Sequence, residues 1–309
     1  MNLKLLTVIL FVTLAACSTT KTKEEVEVVP STKEVDVSQL YIHFPDDKEV
    51  VFMGKISVDT AENISGGMMY PGYNAGTFLI SILAHAALQG GMEAGQEKKR
   101  QENADAVLNK YKPILEDISG QSLIEGNFEL QLVSGDVTLM RHYNDGSDEN
   151  KYIASVQPVY YLTQNERSLI LTNKISFYES QRPSSTRRSV VTEYVSSPCL
   201  EENPGDYWAS DGYRSFIYSS KFLFIETVRM ALEFVHAEEK FEGEKKTIRY
   251  YESGKKKVER GIVIREDCDR LVFISLRGAI KSVPVFDSKS LCADETSTMV
   301  LNKVQSGLR

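Results

Sequence analysis

The chain has 309 residues and carries a net charge of -7, with 42% hydrophobic and 26% charged residues. A mildly acidic chain lacks the basic field that non-specific nucleic-acid binding needs, so no nucleic-acid partner is expected. That apolar content is enough for a sizeable core, in one large domain or two small ones.

Met1-Asn2-Leu3-Lys4 gives a short positive start, and Leu5 to Leu14 is almost wholly apolar before Ala15-Ala16-Cys17. The run is too short to span a bilayer and reads as a secretory signal over residues 1–16. Leu14-Ala15-Ala16-Cys17 resembles the lipobox of bacterial lipoproteins. The resemblance implies a diacylglyceryl group on the Cys17 sulfur, cleavage before Cys17, and acylation of the new amine. Two or three acyl chains anchor stably where one does not. Ser18, where aspartate would resemble an inner-membrane retention signal, implies the outer membrane of a Gram-negative cell, on its periplasmic face. Partners would then be the membrane, through the lipid, and another envelope protein or a second copy of the chain. Residues 17–38 are polar, charged and interrupted by Pro30. They read as a tether with a reach of roughly 25 Å.

The folded part is expected in two regions, 39–200 and 201–309, as two domains or as one. Leu40 to Phe44 and Val50 to Val58 read as strands. Asn63 to Met92 then contains no charged residue. Its glycine-rich start is followed by an apolar helix candidate, Ala75 to Leu88. Ala87, Gly91 and Gly95 lie four apart, a spacing that lets another helix approach closely. They are a candidate helix-packing or oligomer face, and a buried core helix is the plainer reading. An amphipathic helix follows, with Ala104, Val107, Leu108 and Tyr111 on one face, stopped near Pro113.

Phe128 to Tyr143 reads as one strand, and Asn144-Asp145-Gly146-Ser147 as a turn. Tyr152 to Thr163 and Ser168 to Tyr178 read as paired strands around Gln164-Asn165-Glu166-Arg167. A shorter strand is expected over Ser189 to Tyr194. A long helix is predicted from about Ser210 to Glu238, with Phe216 or Ile217, Leu223 or Phe224, Val228, Ala231 and Val235 at helical spacing. Tyr207, Trp208, Tyr213 and Tyr218 cluster at its start. They would pack on the sheet or form a binding platform. Thr247–Tyr251, Val258–Ile264, Leu271–Leu276 and Ala279–Val285 predict a C-terminal antiparallel meander or small open barrel. The class is α+β, because helices and strands come in blocks.

After Cys17 three cysteines remain, Cys199, Cys268 and Cys292. In an oxidising compartment they allow one bridge, first of all Cys268–Cys292, which flank one β-rich segment. The four histidines, His43, His85, His142 and His236, fall in separate elements, and His85 lacks the His-Glu-x-x-His setting of a zinc site. There is no Gly-x-Ser-x-Gly elbow, phosphate-cradling glycine loop or EF-hand spacing. No catalytic residue, metal or cofactor is therefore assigned. The sequence favours a binding or scaffolding component of the envelope. Its alternatives are a hydrolase with a dispersed site near His142 or His236, and a homo-oligomeric assembly or secretion-associated subunit.

Overall fold

A sheet of eleven strands, mixed but largely antiparallel, carries a single long helix on one face. The computed structural model describes residues 39–45, 50–56, 92–125, 129–132, 137–143, 151–180, 188–237, 241, 243–267 and 269–285, with 92–97 and 137 as backbone only. All belong to one unit that starts at Asp36. In chain order they form β1 (Gln39–His43), β2 (Val51–Gly54), α1 (Met92–Asp105), a 3-10 turn (Ala106–Leu108), α2 (Lys112–Leu115) and α3 (Gly120–Ile124). There follow β3 (Glu129–Gln131), β4 (Val137–His142), β5 (Tyr152–Leu162), β6 (Leu169–Glu179), β7 (Arg188–Val195) and α4 (Pro204–His236). The chain closes with β8 (Lys246–Glu252), β9 (Lys255–Glu266), β10 (Arg270–Ser275) and β11 (Ile280–Pro284).

Strand order is β3-β4-β1-β5-β6-β7-β11-β10-β9-β8, with β2 also on β5. The sheet therefore runs across position 200 without a break, because β11 lies parallel to β7. β5 shows why the strands form. Ala154, Val156, Tyr160 and Leu162 are buried toward the helix, while Ser155 and Gln157 between them face the other way. That period of two is the signature of a strand with one face in the core.

Along one edge of β5, β1 pairs with Tyr152–Ser155 and β2 with Val159–Leu162, both parallel. Val156, Gln157 and Pro158 lie between the two paired stretches. Pro158 has no N–H to donate, so its place in the interrupted part of the ladder is the one a proline tolerates.

α4 covers the first face. Phe216, Leu223, Phe224, Val228, Ala231 and Leu232 are buried there against Tyr160, Leu171, Ile175 and Phe177. A polar seam runs within this layer: the Tyr160 hydroxyl donates to the Ser220 carbonyl at 2.7 Å, and Asn173 Nδ2 to Thr227 Oγ1 at 3.2 Å. On the opposite face the C-terminal strands curl over one end of the sheet. Ile248, Tyr250, Leu271, Phe273 and Val283 pack there with Ile170 and Val195 in a second, smaller core. The β8–β9 turn reaches across to the β5–β6 turn, where Asn165 Nδ2 donates to the Ser253 carbonyl at 3.0 Å. Lys55 and Glu252 bridge the same gap at 2.8 Å.

The structure departs from the sequence reading in several places. The expected strand Phe128 to Tyr143 is two antiparallel strands, β3 and β4, because Gln131 pairs back onto Val137. Pro113 does not stop a helix. It sits in the first turn of α2, where its missing N–H costs nothing. α4 as a whole begins at Pro204, as two helical pieces of which the longer starts just past the expected Ser210. It is broken where Asp211, Gly212 and Tyr213 take positive φ of 53°, 67° and 63°. Four parallel strand pairs, β1–β4, β1–β5, β2–β5 and β7–β11, join what the sequence presents as antiparallel blocks. Local pattern does not encode which distant strand a segment meets.

One glycine marks a close approach. A Cβ on Gly54 would lie 1.8 Å from the Ala104 carbonyl oxygen. The same join is held by Gly54 N–H to Asp105 Oδ1 at 2.7 Å and by Gln101 Nε2 to the Gly54 carbonyl at 3.0 Å. Gly54→Ala forces backbone apart from backbone. A loss of about 1–3 kcal/mol is expected, read as a lower urea midpoint at unchanged m-value.

Candidate functional site

The face of the sheet turned away from α4 carries an open groove of about 230 Å³ where β1 leaves the sheet. His43, Ser155, Gln157, Lys174, Ser176 and Tyr178 line it, with Pro45 at its rim. Strand register places them in rows. His43, Ser155, Ser176 and Ser189 stand side by side across β1, β5, β6 and β7, and Gln157 and Lys174 form the next row. Neighbouring strands are roughly 4.8 Å apart and successive same-face residues roughly 6.7 Å. Ser176 and Ser189 share a hydroxyl–hydroxyl hydrogen bond of 2.7 Å. The His43 ring meets Tyr143 edge-on at 5.7 Å, and its Nδ1 is buried with no hydrogen-bond partner.

Among the described residues Lys174 is the one lysine or arginine in the groove lining, and no carboxylate lines it. Burial lowers its pKa from the ordinary lysine value. Among the described residues no acid offsets that pull.

Two rows along the same face lies a second charged cluster. Lys281 on β11 sits opposite Glu193 on β7. Its Nζ is 3.1 Å from Glu193 Oε1 and 2.8 Å from Glu259 Oε1. The Tyr250 hydroxyl donates to the same Glu259 oxygen at 2.8 Å. Burial opposes the charge on Lys281, but Glu193 and Glu259 outweigh it and its pKa is raised. Glu193 is the mirror case: burial pushes it up, Lys281 and Lys55 pull harder, and its pKa is lowered. These partners satisfy one another, which marks the cluster as part of the scaffold.

A third cluster fixes the β5–β6 turn. Glu166, at φ 55°, accepts from Lys110 Nζ at 2.7 Å and from the Tyr111 hydroxyl at 3.0 Å. Its carbonyl accepts from Trp208 Nε1 at 2.5 Å. Trp208 is buried against Phe216, and Tyr213 lies edge-on to Tyr111. The aromatics at the start of α4 are thus mostly committed to packing, and Tyr207 is the exposed one.

Most residues singled out from the sequence lie elsewhere. Cys17, Cys268, Cys292, Ala87, Gly91 and His85 lie outside the described residues, as does nearly all of the uncharged stretch; Gly95 falls within α1. Cys199 is a free thiol. His236 stacks obliquely on Tyr152, on the helix side of the sheet, while His43 lines the groove on the other side. Burial, and then Arg188, lower the His236 pKa, and no acid among the described residues is paired with it. Among the described residues no group of three or more His, Cys, Asp or Glu could hold a metal, and no helix is long and apolar enough to cross a membrane.

Sequence reasoning missed the groove residues. The signal was present in Ser155, Gln157, Lys174 and Ser176, polar positions alternating with buried ones on β5 and β6. No protein-family model matches the chain, and no curated protein or solved structure matches it. Fold and site together define an α+β protein built on one mixed sheet, helix-covered on one face and carrying a polar groove on the other.

Proposed function

We propose that this chain is a lipid-anchored envelope protein, held by Cys17 to the periplasmic face of the outer membrane, whose α+β body binds a polar component of that compartment. The groove is the observation that carries the binding half. It gathers an unpaired ammonium, hydroxyls and an amide on a rigid sheet, the arrangement that fixes a small polar ligand. Two features favour binding over turnover. The Ser176 hydroxyl is paired with Ser189 and not with a base, and His43 faces Tyr143 with no carboxylate among the described lining residues. A hydroxyl nucleophile needs an adjacent base, itself oriented by a third group. The anchoring half rests on Leu14-Ala15-Ala16-Cys17.

Mass spectrometry of the mature N-terminal peptide tests the anchor. The expected product begins at Cys17 and carries both thioether-linked diacylglycerol and an amide-linked acyl chain. Cys17→Ser should shift the protein from the outer-membrane band of a sucrose gradient to the soluble or inner-membrane fractions. An unmodified Cys17 in a protein that still floats with the outer membrane would overturn the anchor.

A further inference from the structure

We infer that the groove between β1, β5 and β6 is a carboxylate-binding site for a small hydroxylated acid, with Lys174 gripping the carboxylate and Gln157 and Ser155 reading the hydroxyls beside it. The inference deepens the binding reading above and is independent of the lipid anchor.

The charge count selects the ligand class. A lone ammonium matches a single carboxylate, whereas a phosphate dianion calls for a second cation or a nest of backbone N–H groups. Among the described residues the groove lining holds one lysine, no arginine and no acid. Lys174 makes no hydrogen bond or ion pair with any described residue. Burial already disfavours its charged form. An anion arriving there restores the partner that the sheet does not supply.

Geometry selects the remainder of the ligand. Gln157 stands directly opposite Lys174 across the β5–β6 pair, and Ser155 lies two residues before Gln157 on the same face. Neither side chain has a hydrogen-bond partner among the described residues. The three groups therefore present donors and acceptors over a patch of roughly 5 by 7 Å, set by strand spacing and rise. That span matches a carboxylate and the hydroxyls two to four carbons along a polyol chain. His43 Nδ1, buried without a partner at the head of the Ser155 row, closes the patch on the β1 side. The volume of about 230 Å³ holds an acid of six or seven carbons and is small for a peptide or an oligosaccharide.

Backbone-amide NMR on the ¹⁵N-labelled full chain in detergent micelles tests this, with sodium gluconate as the probe at constant ionic strength. Gluconate should give saturable shifts at Ser155, Gln157, Lys174 and Ser176, and glucose should give none. Lys174→Met should weaken gluconate about tenfold or more, the loss expected for a hydrogen bond to a charged group. Gln157→Leu should weaken it several-fold, and it serves as the check should Lys174→Met perturb the sheet. Absence of saturable shifts with gluconate, or unchanged affinity in both variants, would overturn the site. Inorganic phosphate displacing gluconate below the concentration at which gluconate saturates would overturn the carboxylate assignment. Failure here leaves acylation at Cys17 untouched, so the two readings fall separately.

Discussion

Replacing Lys281 with methionine is expected to cost the fold about 3 kcal/mol, the lower end of what removing one partner from a buried charge cluster does. The side chains of Lys281 and Glu193 are 15% and 18% exposed, and Glu259 is 29% exposed. Without the ammonium, Glu193 keeps only Lys55 as a nearby cation. Glu259 keeps the Tyr250 hydroxyl, a neutral donor. Two partly desolvated carboxylates then repel across the rows of one sheet. Burial, no longer outweighed by Lys281, drives Glu193 toward its neutral form.

The pH dependence carries the sign. In the native chain the folded Glu193 pKa lies below its ordinary value of 4.5. Its contribution is therefore present above that value and is lost as pH falls through the folded pKa. The gap between native and Lys281→Met proteins should narrow as pH falls. Above 4.5, protonation of the variant's raised Glu193 removes the charge left unpaired, and below 4.5 the native protein loses its own contribution. Adding Glu193→Gln and Glu259→Gln to Lys281→Met should recover most of the loss, since a neutral cluster has no buried charge to strand. Urea denaturation at several pH values measures all three. A single variant within 0.5 kcal/mol of the native protein would mean that solvent screens the cluster, as at an exposed pair.

Strands with a clear period of two were legible in the sequence. β5, β6 and β7 lie within a residue or two of their expected bounds, because one buried face imposes alternation. The β8–β9 hairpin was legible for a different reason. Ser253-Gly254 takes positive φ at both positions, 58° and 80°, as a two-residue hairpin turn requires. Three things were not legible. The parallel joins depend on contacts distant in sequence, between β7 and β11 for example. The break in α4 depends on Tyr213 reaching Tyr111 and donating to the Lys110 carbonyl at 2.9 Å. The groove arises because β1 and β2 share one edge of β5 with a gap between them, so its side chains converge only once that pairing exists.

The second large effect is expected at Phe216, the hub joining α4, the β2–β5 edge and the segment before α2. The ring is fully buried, stacked on Tyr111 at 4.9 Å and lying 5.7 Å from Phe52. Trp208 meets it edge-on at 6.1 Å. Phe52 in turn stacks on Tyr160 at 4.7 Å, and the Tyr160 hydroxyl returns to the helix at Ser220. Truncation to alanine removes the centre of this assembly and leaves a cavity walled by three rings, two of which, Tyr111 and Trp208, are tied by hydrogen bonds. Collapse into the space is opposed by Tyr111 and Trp208, both fastened to Glu166. Phe216→Ala should therefore cost about 3–5 kcal/mol, near the upper range for an aromatic truncation. Phe216→Leu, which refills most of the volume, should cost less than about 1.5 kcal/mol. Trp208 is the only tryptophan in the chain and is 3% exposed. Its emission reports the site without ambiguity. Phe216→Ala should redden that emission under native conditions and lower the urea midpoint, whereas Phe216→Leu should leave the emission in place. A red shift in the leucine variant as large as in the alanine variant would show that the stacked geometry, and not the filled volume, keeps Trp208 dry.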